Sequence, residues 1–202
     1  MSFDSLCDTI KECNRCSLCQ LNVNTTKQGI GFGKLVPSKG TVKVLFLGIN
    51  PSNKRFADTK TAFVGRTTGD LMDSMMSQVG LIKEDYYWDN LIHCSTPDNR
   101  EPTVDEIDCC HAYFSNLIQS ENIRLVVCLG SLVSAYFGAE IGKIRKIKYS
   151  ETLNGEVYVT ALKHPAWVSY NDSNRSKYLE DLHVLKKRFD DVFNNSKLTA
   201  WS

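Results

Sequence analysis

Residues 42–56 read VKVLFLGINPSNKRF. The run up to Gly48 is apolar and β-rich apart from Lys43, the pattern of a strand buried on both faces. Asn50, Pro51 and Ser52 then form a turn that no buried strand would contain, since proline cannot donate to a ladder and asparagine favours turns. A hydrophobic strand that stops in order to present an asparagine points to a site at its C-terminal end.

Working outward, strands and helices alternate. Phe3, Leu6 and Ile10 stand at helical spacing, so Cys13 and Cys16 follow a helix end. In TTGDLMDSMMSQVG (67–80) Leu71, Met72, Met75, Met76 and Val79 make one stripe, which reads as core, and Gly80 is a stop. YYWDNLIHC (86–94) reads as a second strand. A capping box, Thr103-x-x-Glu106, opens a helix whose stripe is Ile107, Cys110, Phe114 and Leu117. RLVVCLG (124–130) is the third strand, Gly130-Ser131 opens a short helix, and EVYVTAL (156–162) is the fourth strand. Tyr178, Leu179, Leu182, Leu185 and Phe189 mark a final helix. This order predicts an α/β fold: a three-layer α/β/α sandwich with a central, mostly parallel four-stranded sheet and functional groups at the strands' C-terminal ends.

The chain has 202 residues and 42% hydrophobic content, enough for one sizeable core, so residues 1–202 are read as a single domain. Its net charge of +1 neither favours nor excludes a polyanionic partner, and any nucleic-acid site must be a local patch. No apolar run approaches the roughly 18 residues of a membrane span, and the start MSFDSLCD lacks the order of a signal peptide. The expectation is a cytoplasmic monomer with no membrane association. Eight cysteines in a reducing compartment argue against four disulfides. The gap in CNRC (13–16) lets adjacent thiolates share one centre, a zinc clip or an iron–sulfur ligand pair, although plain buried thiols fit the same spacing.

The strand-end rule collects the special residues along one edge. Strand one ends in Gly48-Ile49-Asn50-Pro51-Ser52, strand two carries Asn90 and ends at Cys94, strand three ends in Gly130-Ser131, and strand four ends in His164-Pro165. Two amides, a histidine and a helix N-terminus therefore line one edge.

The order GINPS (48–52), FVGRTTGDLMD (63–73), Asn90 followed by Cys94 and Asn99-Arg100, then Cys110, LGS (129–131) and HPA (164–166) resembles the uracil-DNA glycosylase superfamily, in particular its iron–sulfur branch, family four. The resemblance runs from Cys13 to about Leu185 and implies the uracil-DNA glycosylase fold. It also implies four thiolate ligands, Cys13, Cys16, Cys94 and Cys110, around a [4Fe–4S] cluster that ties residues 1–40 to the rest, with zinc as the alternative occupant. An enzyme of this kind extrudes its target base from the stack. By resemblance Phe63 stacks on that base, Asn90 reads the pyrimidine edge with a donor and an acceptor side by side, and His164 meets the O2 oxygen as charge builds there. DNA is the implied partner. Trp167 or Tyr170 is the expected wedge into the vacated stack, and Arg66, Arg175 and Lys177 lie near phosphates. The helix starts at Thr67-Thr68-Gly69 and Ser131 offer N–H groups to phosphates.

Two departures bear on substrate and chemistry. Family four has a glutamate directly after the first glycine, where this chain has Ile49, and its GINPS resembles instead the GINPG of mismatch-specific thymine and uracil glycosylases. There the asparagine positions the attacking water, so Asn50 is expected to orient water rather than take a proton. Strict uracil enzymes also carry a tyrosine just after the motif's proline. Ser52 here is small, which would open the pocket wall to thymine or to bulky 5-modified pyrimidines, as in defence against phages with modified DNA. Lys163 lies near the pocket, but nothing marks it as a Schiff-base nucleophile, so the expected enzyme is monofunctional. The rival from another class is a non-catalytic module that binds a modified base or a single strand.

Overall fold

The computed structural model describes residues 3–21, 43–51, 67–81, 86–150 and 155–193. The apolar run at 42–48 forms β1 (Lys43–Gly48), and its alternation divides the core in two. Val44 and Phe46 point to one side of the sheet, with Met72, Met75 and Met76 of α3 (Thr67–Gln78) and Tyr178 of α6 (Ser173–Phe193). Leu45 and Leu47 point to the other, with Leu6 of α1 (Phe3–Lys11), Leu18 of α2 (Ser17–Leu21) and Phe114 of α4 (Val104–Ser120). Fully burying side chains of this size contributes about 1.5–3 kcal/mol each, which is why a strand apolar on both faces sits mid-sheet. The sandwich has helices on both faces, and the methionine stripe is core.

The sheet runs β2 (Tyr86–Asn90), β1, β3 (Ile123–Leu129), β5 (Gly155–Leu162) and β4 (Arg145–Ser150), in that spatial order. All neighbours are parallel except β4, which pairs antiparallel with β5. Among the described residues five strands replace the expected four. The extra strand is the edge: Lys146 and Lys148 are exposed while Ile147 is half-buried and Tyr149 buried. Such short lysine-bearing strands protect a sheet edge from further pairing, and they lack the continuous apolar run of a central strand. The partner strand begins with Gly155, where a Cβ would overlap the hydroxyl end of the Tyr149 ring. The second strand is also shorter than the expected 86–94. Beyond Asn90 the chain bends away, although Leu91 N–H still donates to Gly48 O (2.8 Å) and Ile92 N–H to Ile49 O (3.0 Å).

The chain moves from β1 to β2 on one side, then crosses to β3 on the other, so the order reverses between β1 and β3. In open α/β sheets the crevice beyond such a switch point is where ligands bind. At α4 the capping box is complete: Glu106 N–H donates to Thr103 Oγ1 and Thr103 N–H to Glu106 Oε2. A cap of this kind is worth about 1 kcal/mol. Among the described residues no helix is long and apolar enough to cross a membrane.

Candidate active site and thiol-lined pocket

Parallel registry sets the ends of four strands side by side. Gly48 pairs with Asn90, Leu47 with Cys128, and Leu129 with Leu162. The residues that follow, Ile49-Asn50, Gly130 and Lys163-His164, therefore emerge along one edge with Asn90. Gly130 N–H donates to Leu162 O (2.9 Å), and Gly130 has φ of +91, a conformation suited to glycine. A Cβ at Gly130 would stand 3.4 Å from His164 Cβ.

The backbone N–H of Ala166 donates to His164 Nδ1 (3.2 Å). Nδ1 is thereby an acceptor, so the neutral ring carries its hydrogen on Nε2. Burial holds the His164 pKa below the ordinary histidine value, which keeps the ring neutral at physiological pH. Nε2–H is thus the one donor of the neutral ring.

Asn50 is half-buried, and its Nδ2 donates to Thr96 Oγ1 (3.3 Å) and to Pro51 O (3.2 Å). The next residue along β2's exit, Asn90, is buried, and its N–H donates to Asp89 Oδ1 (2.7 Å). Asp89 Oδ1 also meets His93 Nε2 at 3.0 Å in a fully buried pair. Burial alone would lower the histidine, but the adjoining carboxylate outweighs it and carries the His93 pKa up to about 10. Ile49 is half-buried and packs against the core on the α1/α4 side together with Cys94.

That side holds the thiols. Cys13 and Cys16 from the loop between α1 and α2, Cys94 after β2, and Cys110 on α4 line one pocket. Arg15 closes over it, with its guanidinium 5.3 Å from the centre of the Tyr113 ring and Nη1 donating to Cys109 O (3.3 Å). Among the described residues no cysteine forms a disulfide, and no three His, Cys, Asp or Glu side chains are grouped to hold a metal ion. Burial pushes the Cys94 thiol up to about 12, with Cys110, Cys16 and Cys13 adding to the effect. Burial likewise raises Cys16. The donor set is all sulfur, and Cys19, also buried, is already engaged, its Sγ donating to Cys16 O at 2.8 Å.

The loop after His164 separates the two aromatic residues. It is a 3-10 turn, Pro165–Tyr170. Trp167 packs against the α3/α6 side of the core, Lys163 Nζ lies 3.7 Å from its ring centre, and Asn174 Nδ2 donates to Trp167 O (2.9 Å). Tyr170 is 81% exposed at the tip. Arg175 is half-buried and Lys177 exposed at the start of α6, and Ser131 is exposed at the start of the seven-residue α5 (Ser131–Phe137). Ser52, Phe63 and Arg66 lie outside the described residues.

Reasoning from sequence missed Thr96, Asp89 and His93. Thr96 and the Asp89/His93 pair touch Asn50 and Asn90 respectively, and a polar residue at a strand exit, such as Thr96 in CSTPDN, is the signal that could have drawn attention to it.

Residues 36–183 match the family described as the uracil DNA glycosylase superfamily. A protein named Type-4 uracil-DNA glycosylase from Archaeoglobus fulgidus is 30% identical over 187 residues, covering 88% of this chain and 90% of that protein. Proteins of the same name from Saccharolobus solfataricus and Thermotoga maritima are 28% and 29% identical, over 92% and 85% of this chain and 86% and 88% of their own length. The extent of the match, through every strand and both sides of the strand-end crevice, makes this chain a member of the uracil DNA glycosylase superfamily.

Proposed function

We propose that the protein is a monofunctional DNA glycosylase that flips a uracil or modified pyrimidine out of the strand and hydrolyses its N-glycosidic bond, leaving an abasic site. The observation that carries this reading is the pairing, at one strand edge, of a neutral His164 whose Nδ1 accepts from Ala166 N–H, so that Nε2 carries the ring hydrogen, and an Asn50 whose amide hydrogens are held by Thr96 and Pro51. Relatives named Type-4 uracil-DNA glycosylase support it.

With Nδ2 engaged, the Oδ1 of Asn50 is left to accept a hydrogen from water and aim its lone pair at the anomeric carbon. An amide cannot take the proton as a carboxylate would, and Ile49 supplies none, so the bond breaks mainly by stabilising the departing base. His164 Nε2–H donates to the base O2 as charge accumulates on it, and the Asn90 carboxamide reads the pyrimidine edge. Lys163, stacked on Trp167, takes no covalent part.

The residues around the thiol pocket fit a [4Fe–4S] cluster held by Cys13, Cys16, Cys94 and Cys110. What supports the fit is the donor set: four thiols from three separate chain segments line one pocket, the chemistry of an iron–sulfur site, with zinc as the alternative occupant of the same four sulfurs. When bound, such a cluster supplies a rigid cross-link between the N-terminal segment, the strand-two exit and α4. Cys16 and Cys94, protonated when bare, release protons on loading.

Of the two wedge residues, Tyr170 suits insertion and Trp167 suits packing. Tyr170→Ala is expected to lower excision from duplex DNA roughly tenfold, from a base–aromatic stacking energy of about 1–3 kcal/mol, and to change excision from single strands much less. Paired rate measurements on the two substrates check this, and equal losses contradict it.

The reading is tested with oligonucleotides carrying uracil, mismatched thymine, or hydroxymethylated and glucosylated pyrimidines, followed by alkali. Strand breaks at uracil are the expected result. Breaks only at the 5-modified bases would instead make this a defence enzyme acting on modified DNA. Ile49 favours a second reading, a non-catalytic module for a modified base or single strand, in which every substrate is bound and none is broken.

A further inference from the structure

We propose that Thr96 is a positioning residue, one that fixes the sense of the Asn50 carboxamide so that its oxygen faces the attacking water. The inference rests on the reading of Asn50 given above. A carboxamide has two ends of nearly equal size, and turning it over would present NH2 to the water where an acceptor is needed. Something in the protein has to distinguish the two ends.

Thr96 does so through its single hydroxyl hydrogen. That hydrogen is committed, because Thr96 Oγ1 donates to Arg100 O at 2.6 Å, a short bond made by a residue with no exposed surface. Toward Asn50 the hydroxyl therefore offers only lone pairs. The other neighbour, Pro51 O at 3.2 Å, is also only an acceptor. Both partners demand the donor end, and a turned carboxamide would set Oδ1 against two oxygens, losing both hydrogen bonds and adding repulsion.

The carbonyl that captures the Thr96 hydrogen is itself held. Arg100 N–H donates to Pro97 O (3.0 Å) and Asn99 N–H to Thr96 O (3.2 Å), closing a tight turn in which Asp98 and Asn99 adopt φ of 51 and 53. Arg100 then grips Glu106 with both ends of its guanidinium, Nη1 to Oε2 at 2.8 Å and Nη2 to Oε1 at 2.6 Å. The pair holds the Glu106 carboxyl below its ordinary value, so it is ionised and the fork persists. Glu106 is in turn fixed by the cap of α4. A sequence of hydrogen bonds thus runs from the first turn of the cluster-bearing helix to the water-orienting amide, and its last link is one hydroxyl group.

The test uses the full chain with its cluster, comparing Thr96→Val, which keeps the shape and removes the acceptor, with Thr96→Ser, which keeps the hydroxyl. Thr96→Val is expected to slow single-turnover excision of uracil by roughly 10- to 100-fold, the range for misplacing one reacting group. Its DNA affinity and iron content should stay within about twofold of the wild type, and Thr96→Ser should regain most of the rate. In an Asn50→Ala background Thr96→Val should cost nothing further, because there is no carboxamide left to orient. Exchange of the Asn50 side-chain amide hydrogens, followed by NMR, should be faster in Thr96→Val, and this readout does not depend on turnover.

An unchanged rate in Thr96→Val, an undiminished loss in the Asn50→Ala background, or unchanged amide exchange would each overturn the proposal. Full activity in Asn50→Ala would instead overturn the reading of Asn50 on which it rests.

Discussion

Asn50→Ala is expected to bind uracil-containing DNA as the native protein does while its excision rate falls by roughly 10²–10⁴, the range for losing one positioned group. The side chain touches Thr96 and the Pro51 carbonyl, so its removal breaks two hydrogen bonds at a half-buried turn and leaves the core untouched. The effect should therefore fall on turnover rather than on folding or affinity. Asn50→Asp separates positioning from proton transfer. A carboxylate would meet the Thr96 and Pro51 oxygens as a third acceptor, so the local geometry suffers, yet it can polarise water and stabilise a developing positive sugar. Aspartate should keep more activity than alanine, and an aspartate variant as inactive as alanine would show that the fixed amide geometry matters more than basicity. Single-turnover rates alongside DNA affinities check both.

Replacing Cys110 by serine is expected to give a colourless protein with little iron and a Tm lower by roughly 10 °C. The estimate follows from loop closure: a cross-link between the N-terminal segment and the strand-two exit restricts a long stretch of the unfolded chain, worth about 4 kcal/mol by the reasoning used for disulfides. Cys110 is buried on α4 in the same core as Leu6 and Ile10 of α1. The nine residues of α1 are too few to hold a helix alone, so loss of the tether should loosen that segment first. Cys19→Ser should be mild by comparison, because a serine hydroxyl can make the bond to Cys16 O that the thiol makes now. Absorbance, iron content and thermal unfolding of the two variants decide the matter. Native protein that is colourless and carries one zinc per chain would contradict the cluster assignment.

The legible parts of the fold are those marked by burial or by a local capping signal. β1, β3 and β5 are central strands whose continuous apolar runs cannot be exposed, and α4 announces itself by Thr103 and Glu106 as well as by its stripe. The edge strand β4 escaped because an edge is half solvent, and Lys146 and Lys148 make its sequence look like surface. The strand-end rule brought Asn50, Asn90 and His164 to one side, since parallel strands deliver their C-terminal residues to the same edge.

What lies between those residues was hidden from sequence. Thr96 is 46 positions from Asn50, and nothing in CSTPDN says which distant group its hydroxyl will meet. Asp89 and His93 look like ordinary polar residues of a strand until the fold buries both and makes each the other's partner. Trp167 and Tyr170 were indistinguishable as aromatic residues of one loop; packing against α3 and α6 assigns one to the core and leaves the other at the surface.

Weighing the DNA decides whether this chain hydrolyses a base from it and leaves the strand intact. A single-stranded oligonucleotide with one uracil is incubated with the cluster-loaded protein and its mass is measured before any alkali is added. The expected product is lighter by one uracil and heavier by one water, with an unbroken backbone and no adduct trapped by borohydride. An oligonucleotide that is bound yet unchanged in mass, or one already cut and trapped on the protein through a lysine, would contradict it.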